Sequence, residues 1–158
     1  MNLSQIGVIG TSKKEDERRV PIHPDHLIRL PQHVRTKLIF ETGYGVPFDI
    51  SDEDIAARSG GIASRKSILS DIGSVIIAKP VLSDLKEMKA GGMIWGYPHC
   101  EQQQEITQTA IDRKLTLIAF EDMFVWTPTG AMGRHTFYKN NEMAGYCAVI
   151  HALQLKGI

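Results

Sequence analysis

The sequence predicts an α/β domain built on a mostly parallel sheet. Three observations carry that expectation. Short apolar runs of strand length alternate with helical stretches at short intervals. One run, "SVIIAK", is continuously apolar and β-branched, as a strand buried on both faces is. Glycine and proline punctuate the loop "TGYGVPFDI" that follows the second run.

Taken in order, "QIGVIG" is a first strand that ends in glycine, followed by a charged loop over residues 11–21 that ends at Pro21. "PDHLIRL" sets Leu27, Ile28 and Leu30 at near-helical spacing, a first helix stopped by Pro31. "KLIFE" is a second strand, and "TGYGVPFDI" a punctuated loop. Ser51 with Asp54 three residues on marks a helix start over "DEDIAARSG", which Gly60 and Gly61 close. "SVIIAK" is the next strand, "SDLKEMKAGG" a capped helix, "MIWGY" a strand, residues 101–113 a helix and "LTLIAF" a strand. The chain ends in a long helix, "NNEMAGYCAVIHALQL", with a strongly apolar face. A helix that apolar normally lies between two layers.

Composition narrows the function. The 158 residues suit one domain with a sizeable core, and 42% hydrophobic with 23% charged residues is ordinary for a globular domain. Eighteen basic residues balance eighteen acidic ones, so nothing draws the chain to nucleic acid or an anionic membrane. No apolar run approaches membrane-spanning length, and "MNLSQIGVIG" lacks the pattern of a signal peptide. Cys100 and Cys147 fit reduced thiols in a cytoplasm, and neither has a second cysteine nearby to build a zinc site, so no metal is expected.

Ligands of such sheets gather at the carboxyl ends of strands. The loop at 11–21, Lys79, His99 and Glu121 all follow strands. An arginine of that loop, where Arg18 and Arg19 stand side by side, is a solvated loop arginine or a two-pronged carboxylate ligand. Lys79 is a strand-end lysine reaching water or a functional cation. His99 is a surface histidine or a proton carrier near neutral pH. Together an arginine of the loop, Lys79 and His99 describe a cationic pocket suited to a 2-oxo acid: the arginine and lysine hold its carboxylate and polarise its carbonyl, and the histidine passes a proton. Glu101, Glu105, His23, His26 and His33 lack ligand spacing and read as surface. Trp95 and Trp126 read as core, His151 as packed or capping, and Met143 with the other methionines as core or helix-face residues. Neither the dinucleotide fingerprint G-x-G-x-x-G nor the P-loop pattern occurs.

Six blocks, "ERRVPIHPDHL", "GYGVPFDISDEDIAARSGG", "VIIAKP", "MIWGYPHCEQQ", "TLIAFED" and "NNEMAGYCAVI", together resemble the N-terminal part of the alanine dehydrogenase and pyridine-nucleotide transhydrogenase superfamily. The opening "TSKKEDERRVPIHP" and "KNNEMAGY" are most similar to its N(5)-(carboxyethyl)ornithine synthase branch. The resemblance implies a three-layer Rossmann-like (flavodoxin-like) fold. It puts the family's carboxylate-binding arginine on Arg19, its active-site lysine on Lys79 and its catalytic histidine on His99. Two departures stand out. The usual K-x-K-E-P turn is shortened to "AKPV", and "GYPH" replaces the "FLH" of alanine dehydrogenases, which fits a larger amine.

The resemblance also implies an organisation and a reaction. Residues 1–138 are expected to form a substrate-binding, catalytic domain, and residues 139–158 a helix leading to an NAD(P)-binding domain that the chain lacks. The implied enzyme is an NAD(P)H-dependent oxidoreductase that reductively condenses pyruvate with the side-chain amine of ornithine. The alternatives are an alanine or saccharopine dehydrogenase, with lysine among the candidate amines, or a non-catalytic module that binds an oxo acid or amino acid. NADPH or NADH is expected only with the full-length enzyme, no cofactor-binding residue is expected in this chain, and homo-oligomerisation is expected.

Overall fold

The computed structural model describes residues 5–157. Six strands form one sheet: β1 Ile6–Ile9, β2 Leu38–Glu41, β3 Gly61–Ala63, β4 Ser74–Ile77, β5 Met93–Gly96 and β6 Thr116–Ala119. Their order is β3-β2-β1-β4-β5-β6, and every neighbouring pair is parallel. The chain therefore runs outward from β1 to β3, returns to lay β4 beside β1, and runs outward again. Without the short edge strand β3, the order is that of the flavodoxin-like fold the sequence implies, and β3 extends it to the Rossmann order. The reversal between β1 and β4 is the topological switch point.

Alternation along the strands makes the three layers. Val8, Leu38 and Phe40 point to one face and pack with Leu27, Tyr44 and Ile55. Ile9, Ile39, Ile77 and Ile94 point to the other and pack with Ile68, Leu69, Leu85, Met88 and Ile106. The first face is covered by a 3-10 turn, Pro24–Arg29, and by α2, Asp52–Ala56. The second is covered by α3, Arg65–Ser67, which continues as a π turn to Ile72, by α4, Leu82–Glu87, and by α5, Gln104–Asp112.

Several elements differ from expectation. "PDHLIRL" is a 3-10 turn rather than an α-helix, capped by the His23 side chain, and a short helix α1, Gln32–Arg35, follows Pro31. Six residues ahead of a proline are too few to propagate an α-helix. Ser51 does cap α2, accepting from the Asp54 amide at 3.1 Å. However, Gly60 and Gly61 do not close that helix: Gly60 donates to Leu38 O at 2.8 Å and Gly61 begins β3. The acid that caps α4 is Asp84, which accepts from the Val81 amide at 3.0 Å, and Ser83 lies inside the helix.

The chain divides into two compact units, Met1–Ala119 and Phe120–Ile158. Within the second, β7 (Phe124–Trp126) pairs antiparallel with β8 (Met132–His135), and α6 runs from Tyr138 to Leu155. His135 ties the hairpin to the start of α6: its Nε2 meets the Phe120 carbonyl at 3.0 Å and its Nδ1 accepts from the Phe137 amide at 3.0 Å. Trp126 is exposed, and Trp95 on β5 is 36% exposed, so neither is the core residue expected from its type. A two-stranded hairpin has no second layer of its own to bury a tryptophan. Met88 is buried, whereas Met143 and His151 are exposed on α6. The apolar residues Tyr146, Val149, Ile150, Leu153 and Leu155 of that helix are exposed as well. Among the described residues no helix is long and apolar enough to cross a membrane.

Candidate functional site

The turn after β1 is locked from behind. Glu41, at the end of β2 and 5% exposed, accepts from the Gly10 amide at 3.0 Å, the Thr11 amide at 2.9 Å and the Thr11 hydroxyl at 2.8 Å. Arg65 of α3 reaches across with Nη1 on Thr11 O at 2.7 Å and Nη2 on Asp84 Oδ1 at 2.8 Å. Asp84 is fully buried and is also paired with Lys13 at 3.3 Å. Two buried carboxylates thus meet two cations and several donors, the condition under which buried charge is tolerated. Ser12 then donates to Lys79 O at 3.1 Å, stitching the β1 turn to the β4 turn at the switch point.

The charged loop leaves this anchor and is fastened again at its far end. The Tyr44 hydroxyl donates to Ile22 O at 2.7 Å and accepts from the Ile22 amide at 3.0 Å. Burial pushes that phenol well above its ordinary value. Between the fastenings, Arg19 grips Glu17 with two parallel bonds, Nε to Oε1 at 2.8 Å and Nη2 to Oε2 at 2.6 Å. The Arg19 guanidinium, through these hydrogen bonds first, lowers the Glu17 carboxyl from 4.5 to about 2, with a smaller push from Lys79. Glu17 in turn raises Arg19.

Past β4 and β5, two turns approach closely. A Cβ on Gly96 would stand 2.1 Å from Ile77 O and 3.0 Å from Pro80, so only glycine lets the end of β5 pass the Lys79 turn. His99 adopts φ 51°, a left-handed conformation uncommon outside glycine. There its Nε2 contacts Lys79 Nζ. Both cations lie near Tyr97: Lys79 Nζ is 4.8 Å and Arg19 Cζ 5.5 Å from its ring centroid, and the His99 ring stacks on it at 6.0 Å. Both cation distances are within cation–π range.

Arg19, Lys79 and His99, singled out in the sequence, therefore converge on one tyrosine at the carboxyl ends of β1, β4 and β5. Arg18 is exposed, as are His26, His33, Glu101 and Glu105, while His23 is half-buried against Phe48 at 4.5 Å. Glu121 belongs to the second compact unit. Two participants escaped the sequence reading. Glu17 stood among three loop acids with nothing to single it out. Tyr97 was visible only as part of the altered "GYPH" turn. The arrangement supplies an anion grip, an ammonium and a histidine–lysine proton pair on one aromatic floor. Cys100 and Cys147 are free thiols. Among the described residues no group of three or more His, Cys, Asp or Glu is placed to hold a metal.

Whether this unit also cradles a dinucleotide is testable on the β1 turn, where such folds hold pyrophosphate on backbone amides. Here the Gly10 and Thr11 amides both donate to Glu41. The residues present do not fit that cofactor at this turn.

Residues 8–130 match the family described as "Alanine dehydrogenase/PNT, N-terminal domain". The chain is 28% identical over 160 residues to an N(5)-(carboxyethyl)ornithine synthase of Clostridium botulinum, covering 87% of this chain and 48% of that protein. It is 28% identical over 109 residues to an alanine dehydrogenase of Staphylococcus haemolyticus, covering 68% of this chain and 29% of that one. Among solved structures it is similar to an L-alanine dehydrogenase, with a TM-score of 0.64 at 26% identity over 80% of this chain and 34% of that chain. It also shares the fold of a transhydrogenase from Sinorhizobium meliloti, with a TM-score of 0.62 at 16% identity over 75% of this chain and 36% of that chain. The chain spans about half the length of the ornithine-synthase relatives it matches.

Proposed function

The chain belongs to the alanine dehydrogenase/PNT N-terminal domain family, and from that premise we propose that it is the acid-binding half of an oxidoreductase that reductively aminates a small 2-oxo acid. The observation that carries this reading is the meeting of Arg19, Lys79 and His99 around Tyr97 at the switch point. Arg19 takes the carboxylate through its two-pronged face. Lys79 directs its ammonium at the carbonyl oxygen, where negative charge grows as an amine adds. The Lys79–His99 contact provides a path for a proton to the oxygen that leaves as water when the imine forms. Tyr97 holds both cations within reach of one aromatic ring. The reduction that follows calls for a nicotinamide nucleotide in the full-length protein. The β1 turn of this chain does not fit that group, and no step is derived through it.

The finer reading takes pyruvate as the oxo acid and the side-chain amine of ornithine as its partner. The relatives named N(5)-(carboxyethyl)ornithine synthase, at 24% and 28% identity over most of the chain, favour it. A second reading, ammonium as the amine, is favoured by alanine dehydrogenases of equal identity over a shorter stretch. The test is NADPH and NADH oxidation by the full-length protein with pyruvate plus ornithine, lysine or ammonium. Turnover with ornithine and not ammonium supports the first reading. Turnover with ammonium alone supports the second, and none with any amine leaves an oxo-acid binding module.

A further inference from the structure

We infer that Glu17 is a built-in stand-in for the ligand: its carboxylate occupies the two-pronged face of Arg19 in the free protein and must be displaced before an external carboxylate can bind. This rests on the carboxylate-binding role proposed for Arg19. The two parallel bonds, at 2.8 and 2.6 Å, are those a free carboxylate makes with a guanidinium. The Arg19 amide adds a third donor to Glu17 Oε1 at 2.9 Å. The Glu17 end of the pair is withdrawn from solvent, its side chain only 8% exposed, while that of Arg19, 46% exposed, stays open to an incoming acid. Glu17 also feels the charge of Lys79, the second cation of the site. It therefore answers to both groups that a 2-oxo acid would use.

A contact of this kind sets a threshold. Displacing Glu17 costs every incoming carboxylate the same amount, so all affinities fall by one factor and the order among ligands is kept. A ligand with a carboxylate alone exchanges one acid for another with little gain. A 2-oxo acid adds a carbonyl oxygen for Lys79, and its extra interaction lifts it over the threshold. The device leaves the ratio between two acids unchanged and raises the concentration at which each fills the site, so at a given concentration the weaker, simple monocarboxylate is the one left unbound.

The experiment is calorimetric titration of the 158-residue chain with acetate and with pyruvate at fixed ionic strength, for the unaltered protein, Glu17→Gln, Glu17→Ala and Arg19→Gln. Circular dichroism verifies that each is folded. Both Glu17 variants are expected to bind the two acids more tightly by a common factor, on the order of tenfold, and Arg19→Gln to lose both. In the unaltered protein, carbon-13 NMR of the Glu17 carboxyl is expected to show its titration midpoint moving up towards the ordinary 4.5 when pyruvate binds, as Arg19 is taken from it and Lys79 is shared. Pyruvate binding that needs Arg19 but is unchanged or weakened in Glu17→Gln overturns this inference alone. So does a Glu17 midpoint that pyruvate leaves in place. Failure of every variant to bind either acid overturns both this inference and the role of Arg19.

Discussion

Two side chains of different loops, Arg19 after β1 and His99 after β5, set what the site can be asked at the level of single residues. Arg19 is always charged and can only hold, whereas His99 can carry a proton, so their substitutions are expected to fail differently. In the full-length protein, Arg19→Lys is expected mainly to raise the KM for the oxo acid, because one ammonium cannot reproduce a two-pronged grip. His99→Gln is expected mainly to lower kcat, by roughly 10²–10⁴-fold, and to flatten the pH profile near neutrality. Steady-state kinetics across pH checks both, and a His99→Gln protein that keeps its kcat would move the proton role to Lys79. Glu17 gives a prediction that needs no activity. Its carboxyl is lowered from 4.5 to about 2 in the folded chain, so its stabilising contribution is complete above pH 4.5 and disappears as pH falls towards 2. Denaturant unfolding is expected to lose stability more steeply across that window in the unaltered chain than in Glu17→Gln. Asp71, also lowered through its bonds to Ser67 and Ser70, titrates in both proteins and cancels in the difference. Of these residues, Lys79 and His99 were legible because each closes an apolar run, and Arg19 because its loop resembles the family's carboxylate-binding motif. The Glu17–Arg19 grip was not, since a pair two apart in an irregular loop has no periodicity to mark it.

Between elements, close approach and buried charge matter more than propensity. Gly96→Ala would bring a methyl group against Ile77 O and Pro80. It is expected to cost about 1–3 kcal/mol and to separate His99 from Lys79, seen as a lower melting temperature and altered chemical shifts of the His99 ring. Arg65→Met would leave Glu41 without its cation and Asp84 with Lys13 alone. Breaking one partner from such a cluster is expected to cost about 3–5 kcal/mol, measurable by urea unfolding. The sequence revealed the strands of the sheet well, because β2 and β4 are apolar runs sized to a layer covered on both sides. It revealed the short connections poorly. The turn at Pro24–Arg29 and strand β3 hold six and three residues, too few for a period to show. The Arg65 cluster was invisible for another reason: its members come from four elements, and only the completed fold brings them together.

For the whole molecule, among the described residues the two buried clusters draw their members from the first of the two compact units. Residues 1–119 are therefore expected to fold without the rest, with a cooperative melting transition and near-native far-ultraviolet dichroism. A truncated chain that stays unfolded would show that Phe120–Ile158 is needed for the core. Glu41 bears on the same question of self-sufficiency. A doubly wound sheet whose first turn grips a diffusible phosphate gains stability only as fast as that ligand is supplied, by mass action. Here the anion is covalently attached to the neighbouring strand, so its effective concentration at the turn is fixed by the chain and not by the medium. Dialysis, phosphatase treatment or nucleotide depletion is therefore expected to leave the amide exchange protection of Gly10 and Thr11 unchanged. The sheet carries the anion of its own first turn.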